Sequence, residues 1–432
     1  MNRGRFPLFE TAWHAERAIL VGIDRPGAEW DADETLAELG RLAETAGSEP
    51  VARTLQRLDA PHPKTFVGSG KAAEIARMCR SFNADVVIFD DELTPSQQSN
   101  LEKIVGSEVK VIDRTALILD IFALHATTKE GRLQVRLAQN KYLLPRLRGM
   151  WAHLASNRMG GGVGSRFGEG ESQLEVDRRI VRKRIMRIER ELAELEKNRD
   201  VQRSSRRASG MLRVVLAGYT NAGKSSLLNR LTDAHVLSYD KLFATLDSTT
   251  RRFTLPEGRE ITLTDTVGFI QKLPTTLVES FKSTLDEIRE ADIILHVVDA
   301  SASAFERQMV AVEDVLQEIG AQEISRILVF NKCDMLSDGE REALAGRYGS
   351  ALLVSAATGE GVEDLVERIV RVASAQDEVL HLSIPYSRGD IVSLAHERCL
   401  IIDEEYAPDG TRMTLRVSKR MKTAFEPFAV SG

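Results

Sequence analysis

The chain has 432 residues, 43% hydrophobic and 28% charged, a composition typical of a globular protein with room for two to four domains. Its three cysteines (Cys79, Cys333 and Cys399) lie too far apart for pairing or metal-ligand spacing, which argues against disulfides and zinc. No segment offers the roughly 18 apolar residues of a membrane span, and the N-terminus lacks an apolar signal core. We therefore expect a cytoplasmic protein with no integral membrane segment.

The net charge of −6 conceals a local excess of positive charge. Residues 131–210 contain nineteen Lys and Arg against nine Asp and Glu, a balance of +10 that leaves −16 for the rest of the chain. A basic segment in an acidic chain indicates a polyanionic partner bound at one place. The alternative is a solvated, salt-bridged helix, but the excess is too one-sided for internal pairing alone. Nucleic acid is the expected partner of this segment.

Residues 1–114 alternate between strand and helix patterns, which predicts a small, mostly parallel α/β domain. The predicted strands are Arg17–Ile23, Val51–Leu58, Thr65–Gly68, Asp85–Phe89 and Val109–Ile112. The predicted helices are Asp31–Thr45, Lys71–Ser81 and Pro95–Val105. The stretch Gly68-Ser69-Gly70-Lys71 resembles a phosphate-binding loop only superficially, because the first glycine at the required spacing is missing. A turn leading into a helix is the better interpretation.

Residues 115–207 have the pattern of two long helices in an antiparallel hairpin, the more basic part of the chain. Apolar positions recur on both helices: Leu117, Leu119, Ile121, Leu133, Leu137, Leu143, Leu144, Ile180, Ile185, Ile188, Leu192 and Leu195. Between the helices, residues 159–170 contain six glycines with one arginine and one phenylalanine. Such a tip can approach another backbone closely, although a plain linker would have a similar composition.

Residues 211–375 begin with an apolar strand, Leu212–Ala217, followed by a G-x-x-x-x-G-K-S pattern. This pattern is Gly218-Tyr219-Thr220-Asn221-Ala222-Gly223-Lys224-Ser225, and Ser226 extends it. A strand, a glycine loop and a helix form the setting of a phosphate-binding loop, whose N–H groups point at phosphate oxygens. Lys224 is predicted to contact the β/γ-phosphates, and the Ser225 hydroxyl to ligate Mg²⁺.

Three further elements follow in the order that a guanine-nucleotide site requires. Asp265-Thr266-Val267-Gly268 closes the apolar stretch Ile261–Thr264; its carboxylate would hold Mg²⁺ through a water, and the Gly268 N–H would sense a γ-phosphate. Asn331-Lys332-Cys333-Asp334 follows Ile327–Phe330, and Asp334 would accept hydrogen bonds from N1–H and the 2-amino group of guanine. Ser355-Ala356-Ala357 follows Ala351–Val354, and its backbone would contact guanine O6.

Residues 379–432 predict a small α+β domain without a feature that indicates a function. The predicted strands are Val379–Ile384, Cys399–Tyr406 and Thr411–Val417. A helix is predicted at Asp390–His396 and a hairpin turn at Pro408-Asp409-Gly410. The fold class predicted for the whole chain is therefore α/β, a P-loop GTPase domain with three accompanying regions.

Together these residues closely resemble the HflX family of ribosome-associated GTPases over nearly the whole chain. The segments that carry the resemblance are Val111–Thr115, Glu130–Val135, Tyr142–Leu147, Gln173–Arg179, Gly218–Ser225, Leu242–Asp247 and Asp265–Ile270. One departure lies in the tip, where Phe167-Gly168-Glu169-Gly170-Glu171 stands in place of the usual Gly-Pro-Gly-Glu stretch. The loss of the proline predicts a more flexible tip.

The resemblance implies a protein that binds the large ribosomal subunit, places its glycine-rich tip near the peptidyl-transferase region and splits stalled ribosomes under stress. The basic hairpin is the part that such binding would use. The resemblance also implies ATP binding by the N-terminal domain, for which no sequence feature identifies a pocket. A monomer is expected, and DNA is not an expected partner.

Three positions bear on the rate of hydrolysis. Phe243-Ala244-Thr245-Leu246-Asp247 occupies the place of the first switch loop, and Thr245 is the predicted second hydroxyl ligand of Mg²⁺, with Thr249 and Thr250 as rivals. Phe269 follows Gly268 where many GTPases have a glutamine that orients water, so intrinsic hydrolysis should be slow. The likeness to related GTPases with an asparagine at this loop position implies that the side-chain oxygen of Asn221 helps to hold K⁺. The alternative is a hydrogen bond to its own backbone.

The residues leave other functions open. The chain could be an RNA-binding module in which GTP only stabilises a conformation and turnover is incidental. A tRNA-modification GTPase is a third interpretation, weakened because no cysteine-rich or flavin-type partner motif is present. The first interpretation is a GTPase whose nucleotide state controls how tightly it binds the large ribosomal subunit. Nucleotide-dependent binding to the subunit would distinguish it from these alternatives.

Overall fold

The computed structural model describes residues 15–157, 167–208, 211–232, 242–243, 246, 248–272, 282–375, 377–418 and 421–430. The chain divides into two compact units. One consists of Met1–Leu124 and Tyr142–Val181, and the other of His125–Lys141 and Arg182–Gly432. Within the described residues, no helix is both long enough and apolar enough to cross a membrane.

The first unit contains a four-stranded parallel sheet in the order β2-β1-β3-β4. Its strands are β1 (Glu16–Asp24), β2 (Ser48–Arg57), β3 (Val86–Phe89) and β4 (Lys110–Asp113), and its helices are α1 (Ala32–Thr45), α2 (Ser69–Phe82) and α3 (Pro95–Val105). Buried apolar side chains from the sheet, α2 and α3 form one core. The three predicted helices and four of the five predicted strands are confirmed. Strands β1 and β3 are largely buried and therefore read as continuous apolar runs.

The strand predicted at Thr65–Gly68 is wrong. Phe66 has a left-handed φ of 64° and forms only an isolated bridge with His62. The run is apolar because the side chains of Phe66 and Val67 are buried, while the Thr65 hydroxyl donates to the Val67 carbonyl and so satisfies the turn locally. Gly68 caps α2 and its N–H donates to Gln56 Oε1 at 2.9 Å, which confirms the predicted turn leading into a helix.

A buried ionic cluster occupies the carboxyl end of this sheet. Arg114 donates to Asp90 Oδ1 at 2.7 Å and to Glu38 Oε2 at 2.9 Å, and all three side chains are at most 4% exposed. Charges removed from water in this way are retained only because they are paired. The cluster therefore ties α1 and β3 to the first residue of the following helix.

Three helices follow: α4 (Arg114–His125), α5 (Lys129–Asn157) and α6 (Phe167–Ala208). The two long helices predicted from the apolar spacing are confirmed as α5 and α6. Leu133 and Leu137 of α5 pack with Ile185, Ile188, Leu192 and Leu195 of α6, which are the positions expected to face the partner helix. Most of the glycine-rich tip, residues 159–166, lies outside the described residues.

The second unit contains a six-stranded sheet in the order β10-β9-β8-β5-β7-β6. Its strands are β5 (Leu212–Gly218), β6 (Thr249–Thr254), β7 (Glu260–Asp265), β8 (Ile293–Asp299), β9 (Ser325–Asn331) and β10 (Leu352–Leu353). The described helices beside it are α7 (Lys224–Thr232), α8 (Lys282–Arg289), α9 (Phe305–Glu318), α10 (Asp338–Arg347) and α11 (Val362–Ala375), with a short 3-10 helix at Cys333–Met335. All strand pairs are parallel except β6 with β7.

The last part of the chain forms a three-stranded antiparallel sheet in the order β11-β13-β12. Its strands are β11 (Asp377–Ile384), β12 (Leu400–Ala407) and β13 (Gly410–Ser418), with helices α12 (Gly389–Arg398) and α13 (Lys422–Phe425) and 3-10 helices at Tyr386–Arg388 and Glu426–Phe428. The predicted strands, helix and turn are confirmed. Arg259, at the turn between β6 and β7, forms a buried ion pair with Asp377 at the start of β11.

Candidate nucleotide-binding site

The predicted motifs meet at one edge of the six-stranded sheet. The carboxyl ends of adjacent parallel strands lie at the same edge, where α/β proteins place ligands. Strands β5, β7, β9 and β10 end there, and each is followed by one motif: Gly218–Ser226, Asp265–Gly268, Asn331–Asp334 and Ser355–Ala357. The topology therefore gathers segments that span about 140 positions of sequence.

Two positions of the phosphate loop require glycine because neighbouring atoms leave no room for a Cβ. A Cβ on Gly218 would lie 2.1 Å from the carbonyl oxygen of Val297 in the neighbouring strand β8. Gly223 has a φ of 87°, and a Cβ there would lie 2.2 Å from Nδ2 of Asn331. Both distances are below any real Cβ contact, so only glycine fits without displacing the loop. Asn221 also has a left-handed φ, 62°, which asparagine tolerates better than most residues.

Lys224 is the first residue of α7 and its side chain is buried. Its Nζ donates to the carbonyl oxygens of Gly218 at 3.1 Å and Tyr219 at 2.8 Å, so the ammonium lies on the inner side of the loop. Burial lowers the pKa of Lys224 from 10.5 to about 8, an effect that the nearby Asp265 carboxylate partly opposes. A buried cation of this kind gains stabilisation from any anion bound in the loop.

Ser225 and Asp265 bring two hard oxygen atoms together beside Lys224. The Ser225 hydroxyl donates to Asp265 Oδ2 at 2.5 Å, and Asp265 is fully buried at the end of β7. A hydroxyl and a carboxylate are donors that Mg²⁺ prefers, so this pair fits the predicted ion. Thr266 is buried, and its hydroxyl donates to the Leu216 carbonyl at 2.8 Å, which fixes the start of the Asp265–Gly268 segment.

The segment after Asp265 is attached to the phosphate loop by its backbone. A Cβ on Gly268 would lie 2.8 Å from Thr220 Cα and 3.1 Å from Lys224 Nζ. The Phe269 N–H donates to the Gly218 carbonyl at 3.0 Å, and its own carbonyl accepts from the Thr220 N–H at 2.7 Å. The Phe269 ring is buried. This position therefore supplies packing and no side-chain hydrogen bond.

Tyr219 adds a contact that sequence patterns did not indicate. Its hydroxyl accepts a hydrogen bond from the Gln271 N–H at 2.8 Å, and both side chains are buried. The phosphate loop therefore binds the chain after Gly268 at two places, Phe269 and Gln271. A tyrosine at a variable position of the loop carries no signal of this partner, which lies 52 positions later.

The predicted first switch loop is described only in part. Phe243 and Leu246 are each 2% exposed, so their side chains anchor this loop in the protein interior. Ala244, Thr245 and Asp247 lie outside the described residues, so the role of Thr245 stays a prediction. The rivals Thr249 and Thr250 begin β6, and the Thr250 hydroxyl lies 3.0 Å from the hydroxyl of Thr264.

Asn331 joins the phosphate loop to the segment predicted to contact guanine O6. Its Nδ2 donates to the Ala222 carbonyl at 2.9 Å, and its Oδ1 accepts from the Ala356 N–H at 3.0 Å. The side chain is 1% exposed, so neither bond competes with water. One amide therefore positions two loops whose sequence separation exceeds 100 residues.

The rest of the predicted base-reading motif lies around Asn331. Asp334 is exposed, whereas Cys333 is fully buried and its N–H donates to the Val354 carbonyl at 3.2 Å. Lys332 adopts a left-handed φ of 65° and its Nζ lies 2.7 Å from Asp299 Oδ2. Ser355 is buried and its hydroxyl accepts from the Thr358 N–H at 3.1 Å. This leaves the Asp334 carboxylate open to solvent at the edge of the site.

His296 lies in β8, beside the strand that carries the phosphate loop, and is buried. It lines a cavity of about 370 Å³ with Met309, Arg326 and Leu328. Burial lowers the pKa of His296 from 6.5 to about 4, against a smaller raising effect of the Glu313 carboxylate. The imidazole is therefore neutral at physiological pH.

Comparison with known proteins assigns most of the chain to described families. Residues 33–123 match a family described as GTP-binding GTPase N-terminal, residues 125–206 the GTP-binding GTPase Middle Region, and residues 213–332 the 50S ribosome-binding GTPase. The GTPase HflX of Caldanaerobacter subterraneus subsp. tengcongensis is 44% identical over 422 residues, which cover 98% of this chain and 96% of that protein. The chain belongs to the HflX family of GTPases. The resemblance identified from sequence is thereby confirmed.

A second HflX relative matches over a similar length. The GTPase HflX of Escherichia coli K12 is 44% identical over 407 residues, which cover 94% of each chain. Among solved structures, a GTP-binding protein from Sulfolobus solfataricus in complex with GDP is 23% identical with a TM-score of 0.44, covering 83% of this chain and 99% of that one. The predicted fold class, a P-loop GTPase with an N-terminal α/β region and long helices, is confirmed for this HflX family member.

Proposed function

We propose that this chain hydrolyses GTP with Mg²⁺, binds the large (50S) ribosomal subunit in a nucleotide-dependent manner and splits stalled ribosomes under stress. The observation that carries the nucleotide part is the pair of hydrogen bonds made by Asn331, which position the phosphate loop and Ser355–Ala357, the base-reading loop, together. In this proposal the protein acts in the cytoplasm as a monomer, with four domains at 1–114, 115–207, 211–375 and 379–432.

The phosphates would be bound by the loop from Gly218 to Ser226 and by Lys224. The Lys224 ammonium now donates to two loop carbonyls, and β/γ-phosphate oxygens are stronger acceptors for the same donor. Ser225, together with Thr245, would hold Mg²⁺, with Asp265 acting through water; the ion would neutralise charge on the β- and γ-phosphates. The close pairing of Ser225 with Asp265 supports this assignment.

The base would be read by Asp334 and the backbone of Ser355–Ala357. A carboxylate accepts two hydrogen bonds from N1–H and the 2-amino group of guanine, and adenine has neither donor. The exposure of Asp334 supports this role, because a ligand can reach its carboxylate from solvent. Cys333 and Lys332 would shape the loop through burial and the ion pair with Asp299.

Hydrolysis would be slow until a partner completes the site. Phe269 has no hydrogen-bonding side-chain atom and its ring is buried, so it cannot orient a water molecule. Gly268 lies against Thr220 and Lys224, where its N–H could respond to a γ-phosphate. We expect the large ribosomal subunit to supply the missing acceleration, as partner proteins do for other GTPases.

The RNA contact would be made by the hairpin. Exposed basic side chains lie along one stretch of α6: Arg182, Lys183, Arg184, Arg187 and Arg190. Arg187 forms an ion pair with Glu191 at 2.8 Å. However, the nineteen basic residues of positions 131–210 outnumber the nine acidic residues there, so internal pairing cannot neutralise this segment. Such a surface favours a phosphate backbone, with an affinity that falls steeply with salt.

The deciding experiment is sedimentation of the purified chain with separated ribosomal subunits in GDP, GTP and a non-hydrolysable GTP analogue. We expect the analogue to trap the protein on the large subunit and GDP to release it. Equal attachment in all three nucleotides would support the RNA-binding module with incidental turnover. Lys224→Ala is the control, because it should fail to bind nucleotide while leaving the basic hairpin unchanged.

A potassium effect can be tested separately. In this proposal the side-chain oxygen of Asn221 helps to hold K⁺ near the phosphates and so increases turnover. The left-handed φ of Asn221 provides a purely conformational reason for the residue, so the two explanations compete. Turnover should be higher in KCl than in NaCl at equal ionic strength, and identical rates would eliminate the K⁺ role.

A further inference from the structure

Arg230 connects the phosphate-loop helix to the base-reading loop. It lies in the last turn of α7, the helix that begins at Lys224. Its Nε donates to the Ala356 carbonyl at 3.0 Å, and one terminal N–H donates to the Ala357 carbonyl. These acceptors lie 126 and 127 positions later in the chain. One guanidinium therefore binds two successive carbonyls of the segment predicted to contact guanine O6.

The backbone donors of this loop are almost all used within the protein. Between Ser355 and Glu360, hydrogen bonds engage the N–H groups of Ser355, Ala356, Thr358, Gly359 and Glu360. In this described segment, the N–H of Ala357 is the exception, and Ala357 is exposed. The loop therefore presents one N–H to a ligand while holding the others.

Peptide planarity links that N–H to Arg230. The Ala356 carbonyl and the Ala357 N–H belong to the same peptide unit, which is trans, so the two groups point in opposite directions. A guanidinium that fixes the carbonyl from one side therefore fixes the direction of the N–H on the other side. Asn331 holds the preceding N–H, that of Ala356, so the two side chains restrain the same short segment from both sides.

We infer that Arg230 is a positioning residue for guanine specificity: by holding the carbonyls of Ala356 and Ala357, it aims the Ala357 N–H at guanine O6. The inference rests on the proposed GTP binding and adds a residue that does not contact the nucleotide itself. Because Arg230 lies on the helix of the phosphate loop, it also connects the base-reading loop directly to the element that binds phosphate. Gly359 lies close enough that a Cβ there would be 3.8 Å from the guanidinium carbon.

The test compares three diphosphates on the full chain: GDP, 6-thio-GDP and IDP. 6-thio-GDP replaces O6 with sulfur, a weaker hydrogen-bond acceptor, whereas IDP keeps O6 and lacks the 2-amino group. Arg230→Met keeps an extended apolar side chain and removes every donor. We expect Arg230→Met to weaken GDP binding about tenfold. Its preference for GDP over 6-thio-GDP should shrink, while its preference for GDP over IDP, read by Asp334, should persist.

Two further variants keep the result interpretable. Arg230→Lys retains the charge but cannot bind both carbonyls in the same fork geometry, so it should repeat the loss of preference. Arg371→Ala removes an exposed arginine from α11 and should match the parent chain. The KM for GTP should rise in Arg230→Met with kcat unchanged, because the reacting phosphate is not touched.

The possible outcomes distinguish a failure of the positioning role of Arg230 from a failure of the proposed GTP binding. If all three diphosphates weaken equally in Arg230→Met, or if its preferences equal those of the parent chain, the positioning role is refuted. A parent chain that binds none of the three diphosphates would instead refute the proposed GTP binding. Thermal unfolding of each variant identifies any general loss of folding, in which case Arg230→Lys decides the question.

Discussion

Asn331 provides the most direct test of how the nucleotide site is assembled. Replacing it with alanine removes the donor to the Ala222 carbonyl and the acceptor of the Ala356 N–H. Ala222 and Ala356 are buried, so water cannot easily replace the lost partners. Each buried polar group left without a partner costs about 1–3 kcal/mol, so the two together cost about 2–6 kcal/mol.

This cost should appear mainly in nucleotide affinity, because the two loops become free to separate. At about 1.4 kcal/mol per factor of ten, the loss corresponds to a GDP affinity at least about 30-fold weaker. Titration with a fluorescent GDP derivative measures that loss. Urea unfolding of the same variant measures how much of the cost falls on overall stability instead.

Asn331→Asp is the matched comparison, because the new side chain has the same shape. Its carboxylate can still accept from the Ala356 N–H but cannot donate to the Ala222 carbonyl, which it would instead repel. We expect GDP binding to weaken in Asn331→Asp as it does in the alanine variant, with the base-reading loop retained. If Asn331→Ala binds GDP and resists urea as well as the parent chain does, the two hydrogen bonds do not assemble the site.

Four further predictions concern the site and its strands. Asp334→Asn should shift preference from GTP toward xanthosine triphosphate, since an amide donates to the purine 2-oxo group; unchanged GTP affinity would mean that the base is read elsewhere. Gly218→Ala should abolish GDP binding because its Cβ would lie 2.1 Å from a carbonyl oxygen, whereas Gly346→Ala, with open space around it, should not. The folded pKa of Lys224, about 8, is below its ordinary 10.5, so above pH 8 the free site loses its cation. GDP affinity should then fall by up to about tenfold per pH unit, and calorimetry in two buffers at pH 8.5 should detect proton uptake, whose absence would contradict the low pKa. The folded pKa of His296, about 4, lies below 6.5, so stability should fall as pH drops from 6.5 toward 4, by up to about 3 kcal/mol. His296→Gln should flatten that urea-unfolding profile, and an unchanged slope would assign the acid sensitivity to other groups.

The sequence predicted the parts of the fold that depend on buried parallel strands. Strands β5, β7 and β9 contribute buried side chains to the cores of this sheet and appear as apolar runs, and a motif follows each of them directly. Strand β6 was not predicted, because Thr-Thr-Arg-Arg-Phe-Thr lies at the sheet edge and its side chains are mostly solvent-facing. The strand predicted at Thr65–Gly68 was wrong for the opposite reason. Its apolar side chains are buried, but they belong to a turn, and a turn can bury apolar side chains as a strand does.

The contacts that assemble the site could not be predicted in the same way. Arg230 is an exposed arginine on a helix, and its acceptors are backbone carbonyls more than 120 positions away. Backbone carbonyls carry no side-chain signature, and no periodicity indicates which helix faces them. The motif identified Asn331, but only the fold shows that its two amide atoms serve different loops.

The buried ion pair between Arg259 and Asp377 has a practical consequence for fragments of this chain. Arg259 lies at the closed end of the β6–β7 hairpin, and Asp265 lies at the open end, paired with Thr249. A fragment that stops after α11 would lose Asp377 and leave the guanidinium without its counter-charge. In such a fragment the closed end of the β6–β7 hairpin would no longer be held by Asp377. Rates and affinities of nucleotide binding should therefore be measured on the intact polypeptide.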